Sequence, residues 1–289
     1  RNTQQSLSRF LDHPNRSKLR GIHFKISMAS NLAAPLLVFI LNPEGQRTWQ
    51  VVKILVGELH LNLMTPSPSL QPKGGQMSRK EDLLAWNREY RDKGRIWRGA
   101  PPKLPDLHPG SRVLELGCGN GKTLAAMMKR PWRIAALDLS PLAVRLGEKI
   151  AAFFQDPPSE ADLLVADGAS LPFQDETFDA VFAFHVIGHL RQGDRRRAAR
   201  EAARVLKADG HLFFIEFGVE DMRAGKGLEV EPRTFRRGGG VLTHYFSEVE
   251  VLDLFDMLRP VSIRTDRRST RIRGQDHLRA EVGAEFAKG

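Results

Sequence analysis

The chain has 289 residues, 41% of them hydrophobic, and a formal net charge of +10, which is enough material for one full α/β core and an appendage. Its single cysteine, Cys118, excludes a disulfide framework and a four-cysteine zinc site, and points to a reducing, cytoplasmic compartment. The basic excess is spread thinly, nine cations against three acids before Met77 and 35 against 31 from there on, so it is a weak argument for a nucleic-acid partner.

The longest strongly apolar run, Ala33 to Leu41, falls well short of the ~18 residues a membrane span needs, and no small-residue cleavage site follows it. Residues 1 to 76 show no sustained period of 3.6 or 2 and end in the turn-rich stretch TPSPSLQPKGG. They are read as a disordered arm, or as upstream sequence outside a mature protein that starts at Met77, with a separately folded module as the alternative. From residue 77 to 289 the texture is that of one α/β domain.

Glu81 to Tyr90 reads as a polar helix and Trp97 to Pro105 as a proline-rich approach to the core. Strands and helices then alternate: strand Arg112 to Leu116, helix Lys122 to Lys129, strand Arg133 to Leu139, helix Leu142 to Phe154, strands Leu163 to Ala166 and Phe178 to Phe184, helix Arg195 to Leu206, strand His211 to Phe217. A Gly- and Arg-rich stretch, Asp221 to Tyr245, precedes a helix from Glu248 to Leu258. Two closing strands follow, Val261 to Thr265 and His277 to Phe286. The rhythm predicts a doubly wound α/β fold with a mainly parallel seven-stranded sheet and an antiparallel C-terminal strand pair.

VLELGCGNGKT places Gly117, Gly119 and Gly121 directly after a strand and just before a helix, where glycines let the backbone turn sharply and approach a ligand. The dinucleotide fingerprint would want glycine where Lys122 stands, and the phosphate-loop spacing is absent. Asp138 ends the second strand 21 residues after Gly117, where a carboxylate can accept from two ribose hydroxyls. Asp167 follows the third strand in an Asp-Gly turn.

An acid followed by G-x-G-x-G at the end of the first strand resembles the class I S-adenosylmethionine-dependent methyltransferases, and the small type 11 and tellurite-resistance-like enzymes in particular. ETFDAVFAFHVIGHL and RVLKADGHLFF match that family's fourth strand and its helix-to-strand joint. The resemblance covers Trp97 to Phe217 well and the C-terminus more loosely. It implies S-adenosyl-L-methionine as cofactor, wrapped by Glu115, Gly117, Cys118, Gly119 and Gly121, with Asp138 and Leu139 at the ribose. Asp167, Gly168, Ala169 and Phe184 would lie at the adenine. No metal ligand set is expected.

Methyl transfer is an in-line displacement, so positioning carries most of the catalysis and a base is optional. His185, His189 and Tyr245 are the candidate catalytic residues; packed or hydrogen-bonding roles are the alternatives for both histidines. Trp97, Arg98, Arg233 and His244 are the candidates for substrate binding, and Arg236-Arg237 with three glycines suggests a mobile, cationic lip. The expected acceptor is a small or anionic molecule, and no membrane partner is expected. An RNA methyltransferase using the stripe Arg264, Arg267, Arg268, Arg271 and Arg273 is one rival, and a non-catalytic cofactor-binding regulator another.

Overall fold

The computed structural model describes residues 36–41, 47–52, 74–94, 101–154 and 159–289, with side chains from residue 80 onward. Two units divide the chain, residues 1–71 and 72–289. In the first, strands β1 (Leu36–Leu41) and β2 (Arg47–Val52) form an antiparallel hairpin in register from Leu36↔Val52 to Leu41↔Arg47. Six consecutive apolar residues in β1 give no alternation, which is why period-2 reading did not mark this pair.

The second unit opens with α1 (Gly74–Lys93), three turns longer than its polar sequence announces. The sheet is built from β3 (Arg112–Leu116), β4 (Arg133–Asp138), β5 (Glu160–Val165), β6 (Phe178–Phe184), β7 (Leu206–Phe217), β11 (Arg259–Ile272) and β12 (Gln275–Ala287), in the order β11-β12-β7-β6-β3-β4-β5. The five strands β3 to β7 run parallel, while β12 pairs antiparallel with β7 and β11 with β12. Between them lie α2 (Leu124–Met127), α3 (Pro141–Phe153), α4 (Gln192–Val205) and α5 (Glu248–Leu254).

β3 and β6 are buried almost throughout because helices cover both faces of a parallel sheet, so their sequences read as continuous apolar runs. One core packs Leu114, Val181, Phe214 and Phe286 with α4 and α5; the other packs Val113, Trp132 and Phe182 with α2. The closing hairpin turns through Arg273 and Gly274, both at positive φ (50° and 82°), which a two-residue type I′ turn requires. Both closing strands are therefore longer than their apolar centres.

Sequence and structure differ in three further places. The Lys-Ala-Asp-Gly segment does not separate α4 from a strand at His211; β7 begins at Leu206, and Asp209 bends it at φ 59°. The Gly- and Arg-rich stretch forms a small antiparallel sheet, β8 (Leu228–Glu231), β9 (Thr234–Arg236) and β10 (Leu242–His244). α5 stops at Leu254 and its last predicted turn is irregular. Among the described residues no helix is long and apolar enough to cross a membrane.

Ser140 caps α3, its hydroxyl oxygen accepting from the Ala143 N–H at 3.3 Å and donating to Asn87 Oδ1 of α1 at 2.6 Å. Ser140→Ala should therefore cost about 1 kcal/mol in denaturant titration, the usual worth of such a cap. An unchanged midpoint would show that the cap and the α1 tie add nothing.

Candidate functional site

Strand order reverses between β3 and β6, and ligands of open α/β sheets bind at the carboxyl ends of strands at such a switch. The chain places a cavity there, lined by Glu115, Gly117 and Cys118 after β3, Asp138 and Leu139 after β4, Asp167 and Gly168 after β5, and Phe184 to Leu190 after β6. Four strand ends thus converge on one space.

The glycine turn is shaped by contacts as much as by flexibility. Gly117 sits at φ 70°, and a Cβ there would stand 2.6 Å from Val186 Cγ2. The Cys118 N–H donates to the Leu137 carbonyl at 2.8 Å, and the Gly119 N–H donates to Asp138 Oδ2 at 3.0 Å, which ties the turn to the end of β4. Asp138 Oδ1 accepts from the Ser140 N–H at 2.8 Å. Each carboxylate oxygen holds one backbone N–H and keeps a lone pair for a further donor. Gly119, Gly121 and Ala169 are not among the lining residues: Gly121 packs against Ile150, and the Ala169 N–H donates to Asp167 Oδ1 at 2.9 Å. Asp167 therefore makes the local turn that its Asp-Gly sequence suggests while also facing the cavity.

Glu115 is buried, and burial together with nearby Asp138 pushes its carboxyl up to about 8; its Oε2 has no hydrogen-bond partner. Glu216, at the end of β7, is likewise buried and pushed up to about 8, although Oε1 accepts from the Gly188 N–H at 2.8 Å. Both acids hold protons more tightly folded than unfolded. The ligand-free domain should therefore lose stability as pH rises from about 6.5 towards 8, above the range in which the depressed pKa values of His185 and His189 act in the opposite sense, and Glu216→Gln should flatten part of that slope in melting curves. A wild-type slope of the opposite sign would contradict the placement of these carboxyls.

His185 follows β6 at φ 52°, uncommon for a residue other than glycine. Its ring lies 4.5 Å from that of Phe217, Nδ1 is 3.9 Å from Glu216 Oε2, and Nε2 is 3.8 Å from Glu281 Oε1. Burial depresses its pKa to about 3. His189 donates from Nδ1 to the Leu242 carbonyl at 2.6 Å and is lowered by burial to about 4. Both imidazoles are neutral at pH 7 and both line the cavity.

The other acceptor-end candidates lie elsewhere. Tyr245 is buried against Phe217 and Phe235, outside the cavity lining. His244 is fully engaged, Nδ1 with Thr234 Oγ1 and Nε2 with Glu250 Oε1, each at 2.8 Å, and Arg233 meets Glu250 Oε2 at 3.0 Å. His244 and Arg233 tie the small sheet to α5, Tyr245 packs against β7 and β9, and none of the three is among the residues that line the cavity. The Arg-Gly lip is a β9–β10 turn packed on α1, Gly240 standing within 3.5 Å of Ala85 where a Cβ would be. Trp97 and Arg98 lie outside the described residues.

Sequence reasoning missed the cover. Asp82, Trp86 and Tyr90, spaced by four on one face of α1, line the cavity, and Trp86 meets the His189 ring edge-on at 4.7 Å. Two aromatic residues four apart in a mostly polar helix were the available signal.

Residues 114–214 match the sequence profile of a methyltransferase domain family. The same stretch that matches carries the glycine turn and all four strand ends. Over these residues the chain is similar to S-adenosylmethionine-dependent methyltransferases. A demethylmenaquinone methyltransferase of Corynebacterium urealyticum is 37% identical over 123 residues, 43% of this chain and 49% of that protein. A tRNA N(3)-cytidine methyltransferase of Danio rerio is 24% identical over 74% of this chain and 63% of its own length. The chain spans about half the length of such curated relatives. In fold, the methyltransferase domain is similar to an S-adenosylmethionine-dependent methyltransferase of Methanosarcina mazei, with a TM-score of 0.53 and 23% identity over 63% of this chain and 94% of that one.

The cofactor of the family is S-adenosyl-L-methionine, and the residues of this methyltransferase domain fit it. Glu115 offers a buried carboxylate oxygen without a partner, suited to a cation, and beside Gly168 there is no atom within 4 Å of where a Cβ would stand. Among the described residues no group of three or more His, Cys, Asp or Glu side chains could hold a metal ion.

Proposed function

We propose that the chain transfers a methyl group from S-adenosylmethionine to a small acceptor that enters as an anion or gives up one proton. The carrying observation is the convergence of Glu115, Asp138 and Asp167 from three strand ends on one cavity covered by Trp86 and Tyr90. When bound, the cofactor supplies an electrophilic methyl on a sulfonium. Glu115 would face its cationic end, Asp138 its ribose and Asp167 with Gly168 its adenine; residues 77–289 are taken as the catalytic part, with 1–76 as an extension.

The chain's own residues then position and exclude water. Trp86, Tyr90, Ile187 and Leu190 form the apolar wall that keeps the reacting atoms dry. His185, which lines the cavity beside Glu216 with a neutral imidazole at pH 7, is taken as the group that accepts a proton from a hydroxyl or amine acceptor. An acceptor that arrives ionised needs no such step.

A small acceptor is favoured over RNA by the charge pairing of the basic stripe. Arg264 pairs with Asp266, Arg267 with Glu220, Arg268 with Glu281 and Arg271 with Asp276, so most of the cations are already compensated. Incubating the protein with methyl-labelled S-adenosylmethionine and a cell extract tests this. Label should pass a filter that retains macromolecules; label retained on RNA, with an affinity falling steeply in salt, would contradict it.

A further inference from the structure

The charges lining the cavity are mostly acidic: Asp82, Glu115, Asp138, Asp167 and Asp194. Among the described lining residues Lys122 is the one lysine or arginine. It directly follows the glycine turn, is partly buried, and forms no ion pair with a carboxylate among the described residues. Several other buried or partly buried cations of the domain do have a carboxylate partner. Arg195 sits 3.3 Å from Glu231, Arg204 2.7 Å from Glu201, and Arg223 and Arg279 2.7 and 2.8 Å from Asp221.

A partly desolvated ammonium is costly without a counter-charge. Burial pulls the Lys122 amine below the ordinary lysine range, with more distant Glu281 opposing that shift and Arg268 adding to it. At the start of the same turn stands Glu115, a carboxylate whose Oε2 lacks a partner. The cavity lining therefore includes an acid with an unpartnered oxygen and a base without an ion-pair partner among the described residues, seven residues apart in sequence and separated by the turn.

The amino-acid end of S-adenosylmethionine carries the complementary pair, an ammonium and a carboxylate. Resting on the cofactor reading above, we infer that Lys122 holds the α-carboxylate of the cofactor while Glu115 faces its ammonium, so that the ends of the glycine turn form a clamp for a zwitterion. The binding site then discriminates against a cofactor that has lost its carboxylate.

Calorimetric titration of the full chain and of Lys122→Gln with S-adenosylmethionine and with its decarboxylated form tests this directly. The substitution should weaken S-adenosylmethionine by roughly tenfold or more, the usual worth of a charge-assisted hydrogen bond, and leave the decarboxylated compound unchanged. Lys122→Arg should recover much of the loss, and matching melting curves show that the variants fold. Equal weakening of both compounds would mean general damage to the cradle and would overturn the assignment. No weakening of either would overturn it too, leaving Lys122 to the acceptor. Wild-type protein that binds neither compound would defeat the cofactor reading itself, and this inference with it.

Discussion

Asp138→Ala should raise the dissociation constant for S-adenosylmethionine by ~30- to 1,000-fold, equivalent to about 2 to 4 kcal/mol. Two losses add up. The carboxylate is the acceptor placed for the ribose hydroxyls, and it also fixes the glycine turn and the start of α3 through the Gly119 and Ser140 N–H groups. Burial pushes the Asp138 carboxyl up to about 6, and these two hydrogen bonds hold it down against that push. Asp138→Asn should fall between wild type and alanine, because an amide keeps one acceptor oxygen. Calorimetry on folded variants decides; an alanine variant with wild-type affinity would remove Asp138 from the site.

Gly117→Ala should destabilise the domain by about 2 to 5 kcal/mol, combining left-handed backbone strain with overpacking. The new methyl would stand 2.6 Å from Val186 Cγ2 and 2.8 Å from Val186 Cβ. Adding Val186→Ala should recover only part of the loss, because it removes the Cγ2 contact but keeps Val186 Cβ at 2.8 Å, and the backbone part, about 1 to 2 kcal/mol, remains as well. Gly168→Ala is the counterexample, since nothing lies within 4 Å of its Cβ position and its φ is not left-handed; its stability should match wild type. Denaturant titration of the four proteins checks the set. Equal behaviour of the alanine variants at 117 and 168 would show that the turn is not packed as described.

The parallel part of the sheet was legible because each of its strands is a short apolar run bounded by glycine, proline or an acid, and because helices on both faces remove any polar alternation. The acids at strand ends were legible for the same reason: Glu115, Asp138 and Asp167 break apolar runs where a buried carboxylate needs a purpose. What lay beyond sequence was tertiary. β8, β9 and β10 are three or four residues each, too short for a period. Thr243, His244 and Tyr245 are all buried, so their polar atoms carry no hint that they face a packed interior instead of the cavity.

The cover and the lone cation were hidden for different reasons. Trp86 and Tyr90 lie on a mostly polar helix, and only the fold brings that face to the strand ends. Lys122 reads as the residue that spoils a dinucleotide fingerprint. Its importance emerges from the absence of a paired carboxylate around it among the described residues, which is a property of three-dimensional neighbours.

The most direct measurement is calorimetric titration of the full chain with S-adenosylhomocysteine and, separately, with NAD. One site of micromolar affinity for the first and no heat from the second is the result expected of the methyltransferase cradle built on Glu115, Asp138 and Asp167. Binding of NAD alone, or of neither compound, would contradict it.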